Sequence, residues 1–153
     1  MKQQSFLPIL AVAAITVGCA SPQSDVMPSP TTSEYFKTIG GGFISTGRVL
    51  KYALNFQVRK PLNGSRSWFA VVLFENPENP ENPITQLNEY PSTKIDISLT
   101  SSELNSIRNH KTYKVTVKAY SDAGRTNLIT THDMFVRFDV PNQIASSFGV
   151  KIL

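Results

Sequence analysis

His110 and His132 are the only imidazoles in the 153 residues, and general-base or metal-ligating chemistry would begin with them. His110 stands in the polar run Arg108-Asn109-His110-Lys111, where a solvated side chain is expected. His132 and Asp133 are adjacent in a segment patterned as a strand. Their side chains should therefore point to opposite faces, which rules them out as a base and its orienting carboxylate. A hydrolytic serine needs a defined setting, and Ser45 lacks it, because Phe43 stands where Gly-x-Ser-x-Gly requires glycine. Gly40-Gly41-Gly42 is followed by neither a helix start nor a Lys-Ser/Thr pair, so it reads as a bend and not a phosphate cradle. Carboxylates recur at Glu75, Glu78 and Glu81 in three Glu-Asn-Pro triplets. An extended acidic ridge of this kind does not wrap a cation as a calcium loop does. These patterns predict no enzyme, no metal and no cofactor.

Cys19 is the one cysteine, which excludes an internal disulfide and any multi-thiolate zinc site. It follows Met1-Lys2, an apolar run from Phe6 to Val17, and Gly18. A membrane-spanning helix needs about 20 apolar residues, so this run has the length of a signal peptide's apolar region. Thr16-Val17-Gly18-Cys19 resembles the lipobox of bacterial lipoproteins, with Thr16 where that family usually has leucine. The resemblance implies cleavage after residue 18 and lipidation of Cys19. With Ala20 and not aspartate following the cysteine, it also implies an outer-membrane destination. Several acyl chains on one residue anchor a protein stably without spanning the membrane.

Residues 19–33 carry three prolines among serines and threonines and no apolar period, the composition of a flexible tether. From Glu34 onward the pattern is that of strands. Leu50, Tyr52, Leu54, Phe56 and Val58 alternate with polar or small residues. Asn63-Gly64 then predicts a hairpin turn leading into Trp68–Phe74, which is apolar on both faces. Such a strand needs cover on both sides. The segment from Ile144 to Leu153 is the expected intramolecular cover; a partner protein is the other. The outer face of this strand, Phe69, Val71 and Leu73, flanked by a ridge of Glu75, Glu78 and Glu81, is the candidate partner surface. Residues 75–83 read as a stiff polyproline crossing. A weak edge strand follows at 84–90, then a half-buried strand with Ile95, Ile97 and Leu99. Thr100-Ser101-Ser102-Glu103 matches a capping box that would open a short helix with Leu104 and Ile107. The remaining strands are Tyr113–Tyr120 and Leu128–Val140, the latter bent near His132-Asp133.

A helical corner followed by a tyrosine that opens an alternating strand resembles the late strands of immunoglobulin-like and fibronectin-like sandwiches. In that resemblance Trp68 is the core tryptophan of the third strand and Tyr113 a corner tyrosine. The fold class expected is all-β: a single antiparallel β-sandwich of about seven strands over residues 34–153. It would stand behind a signal peptide (1–18) and a lipidated tether (19–33). The chain carries 15 basic and 11 acidic residues, scattered and not clustered, which argues against a nucleic-acid partner. The function expected is a membrane-anchored, non-enzymatic module that binds an envelope protein. The alternative is a small-ligand or glycan-binding protein that uses Trp68, Tyr90 and Tyr120 as stacking platforms.

Overall fold

The computed structural model describes residues 26–62 and 66–153. Cys19, the signal segment and the Asn63-Gly64-Ser65 turn lie outside the described residues. Seven strands build an antiparallel, all-β sandwich. One sheet has three strands, β1 (Phe36–Thr46), β2 (Val49–Val58) and β5 (Asp96–Thr100), in the order β1-β2-β5. The other has four: β3 (Ser67–Phe74), β4 (Ile84–Pro91), β7 (Lys111–Tyr120) and β8 (Leu128–Phe138), in the order β4-β3-β7-β8. A short parallel pair, β6 (Ser106–Ile107) with β9 (Lys151–Ile152), ties the C-terminus to the β5–β7 connection.

Side chains alternate along a strand, so each sheet turns one face to the other. Leu50, Tyr52, Leu54 and Phe56 of β2 meet Trp68, Ala70, Val72 and Phe74 of β3 and Tyr113, Val115, Val117 and Ala119 of β7, all buried. The inward positions of β2, β3 and β7 thus follow the sequence pattern.

Several local expectations fail, each for a tertiary reason. β2 and β3 are not a hairpin. They belong to opposite sheets: β2 pairs with β1 and β5, while β3 pairs with β4 and β7 and turns its inward side chains to β2 across the core. The glycine run is no bend: β1 continues through Gly40–Gly42 with a register shift between Thr38 and Gly40. Gly41 is needed there because a Cβ would come within 2.8 Å of Val136 Cγ1 on β8. Thr100–Glu103 starts no helix. Ser101 Oγ instead accepts a hydrogen bond from Tyr52 N (3.0 Å), and residues 106–107 pair with β9. Ile95 lies outside β5 and is exposed. The irregularity in β8 falls opposite the Ala119/Tyr120 step, near Ile129, and not at His132-Asp133. Finally, the C-terminal segment does not cover β3. Val150 enters the core margin and Phe148 packs edge-on to Phe138 (5.7 Å). Gly149, with φ +71°, turns the chain where any Cβ would strike Arg48.

The N-terminal boundary also gains detail. Thr31 N donates to Asp133 O (3.0 Å), and Asp133 N donates to Thr31 Oγ1 (3.3 Å). Thr31 is therefore docked on the edge of β8, three residues before the expected start of the domain.

Tyr113 is fully buried in the inward row of β7. Its hydroxyl accepts from Arg108 N (2.7 Å) and donates to Arg108 O (3.1 Å), five residues upstream. Burial pushes its pKa up to about 12, so it stays a neutral donor. Tyr113→Phe removes one partner from two backbone groups at once, an expected loss of about 1–3 kcal/mol. Urea unfolding followed by circular dichroism should show a lower midpoint at unchanged m-value. An unchanged midpoint would show that this bond does not stabilise the corner.

Candidate functional site

The outer face of the four-stranded sheet is assembled from rows set by strand register. Leu87, Val71, Lys118 and Thr131 lie across β4, β3, β7 and β8 in one row. Glu89, Phe69 and Tyr120 form the row beside it, and Thr85, Leu73, Thr116 and Asp133 the row on the other side. Phe69, Val71 and Leu73 are half-buried by these neighbours, and Leu87 is 57% exposed. The Arg125 guanidinium lies 5.9 Å from the centre of the Phe69 ring. Beyond Leu73 a groove of about 410 Å³ is lined by Leu73, Glu75, Pro80, Pro83, Lys114 and Thr116.

The three glutamates are not brought together as an extended ridge. Residues 75–83 are the loop of the β3–β4 hairpin, which Phe74 and Ile84 close as a pair. Glu75 is tied down: its Oε1 takes the Lys111 ammonium (2.6 Å), and its Oε2 accepts from Lys114 N (3.0 Å). Its carbonyl accepts from the buried Tyr52 hydroxyl (2.7 Å). Glu78 and Glu81 stay exposed at the loop tip. The asparagines bend the chain. Asn76 Oδ1 accepts from Glu78 N and Asn79 Oδ1 from Glu81 N, while Asn76 Nδ2 donates to Asn82 O. These are Asx turns, and the asparagines two residues ahead of Glu78 and Glu81 were a signal for them in the sequence.

Asp133 and His132 do point to opposite faces. Burial alone would raise the Asp133 carboxyl, but hydrogen bonds from Lys114 (2.8 Å) and Thr116 (2.6 Å) hold it below the usual carboxylate range. His132 lies in the core between Phe36 and Phe56, with Nε2 2.8 Å from Thr38 Oγ1 and Nδ1 without a partner. His110 is exposed with φ 56°, and its Nδ1 lies 2.6 Å from Asp139 Oδ1. Asp139 is held below its ordinary value first by Arg137 and then by His110. Among the described residues, no three His, Cys, Asp or Glu side chains are grouped to hold a metal.

The stacking platforms separate. Trp68 is 1% exposed. Tyr90 turns inward against it with ring centres 4.7 Å apart, and burial pushes its hydroxyl up to about 12. Tyr120 alone of the three lies on the outer face. Leu87, Lys118 and Arg125 belong to the surface that sequence reasoning missed, because their place depends on which strands neighbour β3. Comparison with protein-family models, curated proteins and solved structures gave no match.

His132 gives this region a pH signature. Burial lowers its pKa from the ordinary 6.5, only partly opposed by Asp133. The unfolded chain therefore binds the proton more readily than the folded one. Stability should be full above about pH 6.5 and fall as pH drops towards the lowered folded value. The lowered carboxylates Asp122, Asp133 and Asp139 titrate below that window. The urea midpoint should thus drop between pH 7.5 and 5.5, and His132→Leu should flatten that drop. An equal drop in the variant would assign it elsewhere.

Proposed function

We propose that this chain is a lipid-anchored, non-enzymatic binding or assembly module of a bacterial cell envelope, held at the outer membrane through Cys19. The observation that carries the reading is the outer face of the β4-β3-β7-β8 sheet. Phe69, Val71, Leu73 and Leu87 form an apolar band there, and the C-terminal segment expected to cover it is engaged with β6 and the core margin instead. A half-buried apolar band rimmed by charge is the anatomy of a protein-binding patch. Lys118 stands within the band, Glu89 lies beside Phe69, and Glu75 and Lys114 lie beyond Leu73. The partner that fits is an envelope protein with an apolar centre and a mixed polar rim.

The docking of Thr31 on β8 supports the anchoring geometry, since the tether would leave the domain from the edge farthest from β4. The glycan-binding alternative loses support because Trp68 is buried and the half-buried Tyr90 ring packs tilted against it.

Two experiments test the proposal. A photo-crosslinking residue at position 71, introduced in cells, should join the chain to a distinct envelope protein. Val71→Asp in the same chain should reduce copurification of that protein by roughly tenfold while circular dichroism stays unchanged. Absence of any crosslinked partner would overturn the surface. For the anchor, radioactive fatty acid should label the wild-type chain and not Cys19→Ser, and the variant should leave the membrane fraction. Label retained by Cys19→Ser would overturn lipidation at that residue.

A further inference from the structure

A β-sandwich has four sheet edges, and each is a template for another strand unless something blunts it. Three are blunted here. β1 is interrupted by the shift at Thr38/Gly40 and lies against β8 through Gly41 and Thr38. β5 is five residues long, opens on Asp96 and follows Lys94. β8 has the N-terminal segment bonded at Asp133.

β4 is different. Its eight residues pair with β3 without a single register shift. It contains no lysine or arginine, its one proline is the terminal Pro91, and its only charge is Glu89. On its inward side Gln86 Oε1 and Asn88 Nδ2 are shielded from solvent and lack partners, although Gln86 Nε2 reaches Asn88 Oδ1 at 3.4 Å. A shielded acceptor or donor left without a partner is destabilising.

We propose that β4 pairs antiparallel with β4 of a second copy about a two-fold axis at Leu87, joining the two four-stranded sheets into one of eight strands. The sequence of β4 is complementary to itself in this register. Leu87 faces Leu87 of the second copy on the outer side, extending the apolar band. Thr85 faces Glu89, an uncharged residue opposite the strand's one charge. On the inner side Gln86 faces Asn88, so after a rotation of the two amides each orphaned acceptor meets an orphaned donor, twice by symmetry. Shifting the axis by one residue, to Asn88, would set Leu87 opposite Glu89 and Gln86 opposite Tyr90, and the complementarity is lost. A second copy is thus the occupant that satisfies both the edge and its two amides. The tether leaves from the opposite edge, so two anchored copies can meet without crossing their anchors.

The test uses the full chain. Sedimentation equilibrium of the detergent-solubilised wild type should show a concentration-dependent dimer. Leu87→Glu, which sets two carboxylates face to face, should raise its dissociation constant by roughly tenfold or more with unchanged circular dichroism. Register is read by oxidation. Leu87→Cys should form an 87–87 disulfide above the background of the chain that carries Cys19 alone. Thr85→Cys and Glu89→Cys should crosslink when mixed but not singly. A wild type that stays monomeric at all concentrations would overturn the proposal. So would a Thr85→Cys chain that links to itself as readily as Leu87→Cys, or a cysteine at 87 that captures only a different protein. Because the readout is self-association, it is independent of whether position 71 finds a partner.

Discussion

Everything in this molecule depends on burying aromatic rings between two sheets while leaving their hydroxyls satisfied. Tyr52 sits at the centre, stacked on Phe74 (5.4 Å) and packed with Phe43 (4.8 Å) and Tyr113 (5.9 Å). Ring contacts of this kind contribute beyond the area they bury, but two phenols deep in a core would be a liability without acceptors. Tyr52 donates to the Glu75 carbonyl and Tyr113 to the Arg108 carbonyl. Each bond fixes a loop: one begins the β3–β4 connection, the other begins β7.

That constraint propagates outward. With Glu75 pinned from inside by Tyr52 and from its flank by Lys111 and Lys114, the triplet loop must turn back within nine residues. β4 then runs beside β3 in unbroken register, and the apolar outer face gains Leu87 next to Val71. The surface assigned to partners is thus a consequence of the core on its other side. The same register leaves β4 as an edge strand without a bulge. Both surfaces sit away from β8, where the N-terminal segment docks.

Much of the fold was legible because it rests on period-two burial, a property each strand carries alone. β2, β7 and the edge character of residues 84–90 emerged from alternation and from the polar residues between. The errors share another cause. Asn63-Gly64 signalled a hairpin, yet a turn signal cannot say whether the chain returns in the same sheet or crosses to the facing one. Gly40–Gly42 read as a break because glycine weakens a strand. It is a strand, because Gly41 permits close approach to Val136, a residue 95 positions away. The capping box at Thr100 failed since Ser101 found a better partner in the Tyr52 amide.

For the site, alternation along β3 was enough to tell which of its residues face outward and that this face is apolar, since it assigns sides without reference to any neighbour. Alternation also determined that His132 and Asp133 diverge. What lies beside those residues is set by the assembled sheets. The fold placed Leu87 and Lys118 in the row of Val71, separated Glu75 from Glu78 and Glu81, buried Trp68, and sent the C-terminal segment to β6. The physical reason is that sidedness is a local property of an extended backbone, whereas neighbourhood depends on strand order and register. Those are chosen by packing and hydrogen bonding summed over the whole sandwich.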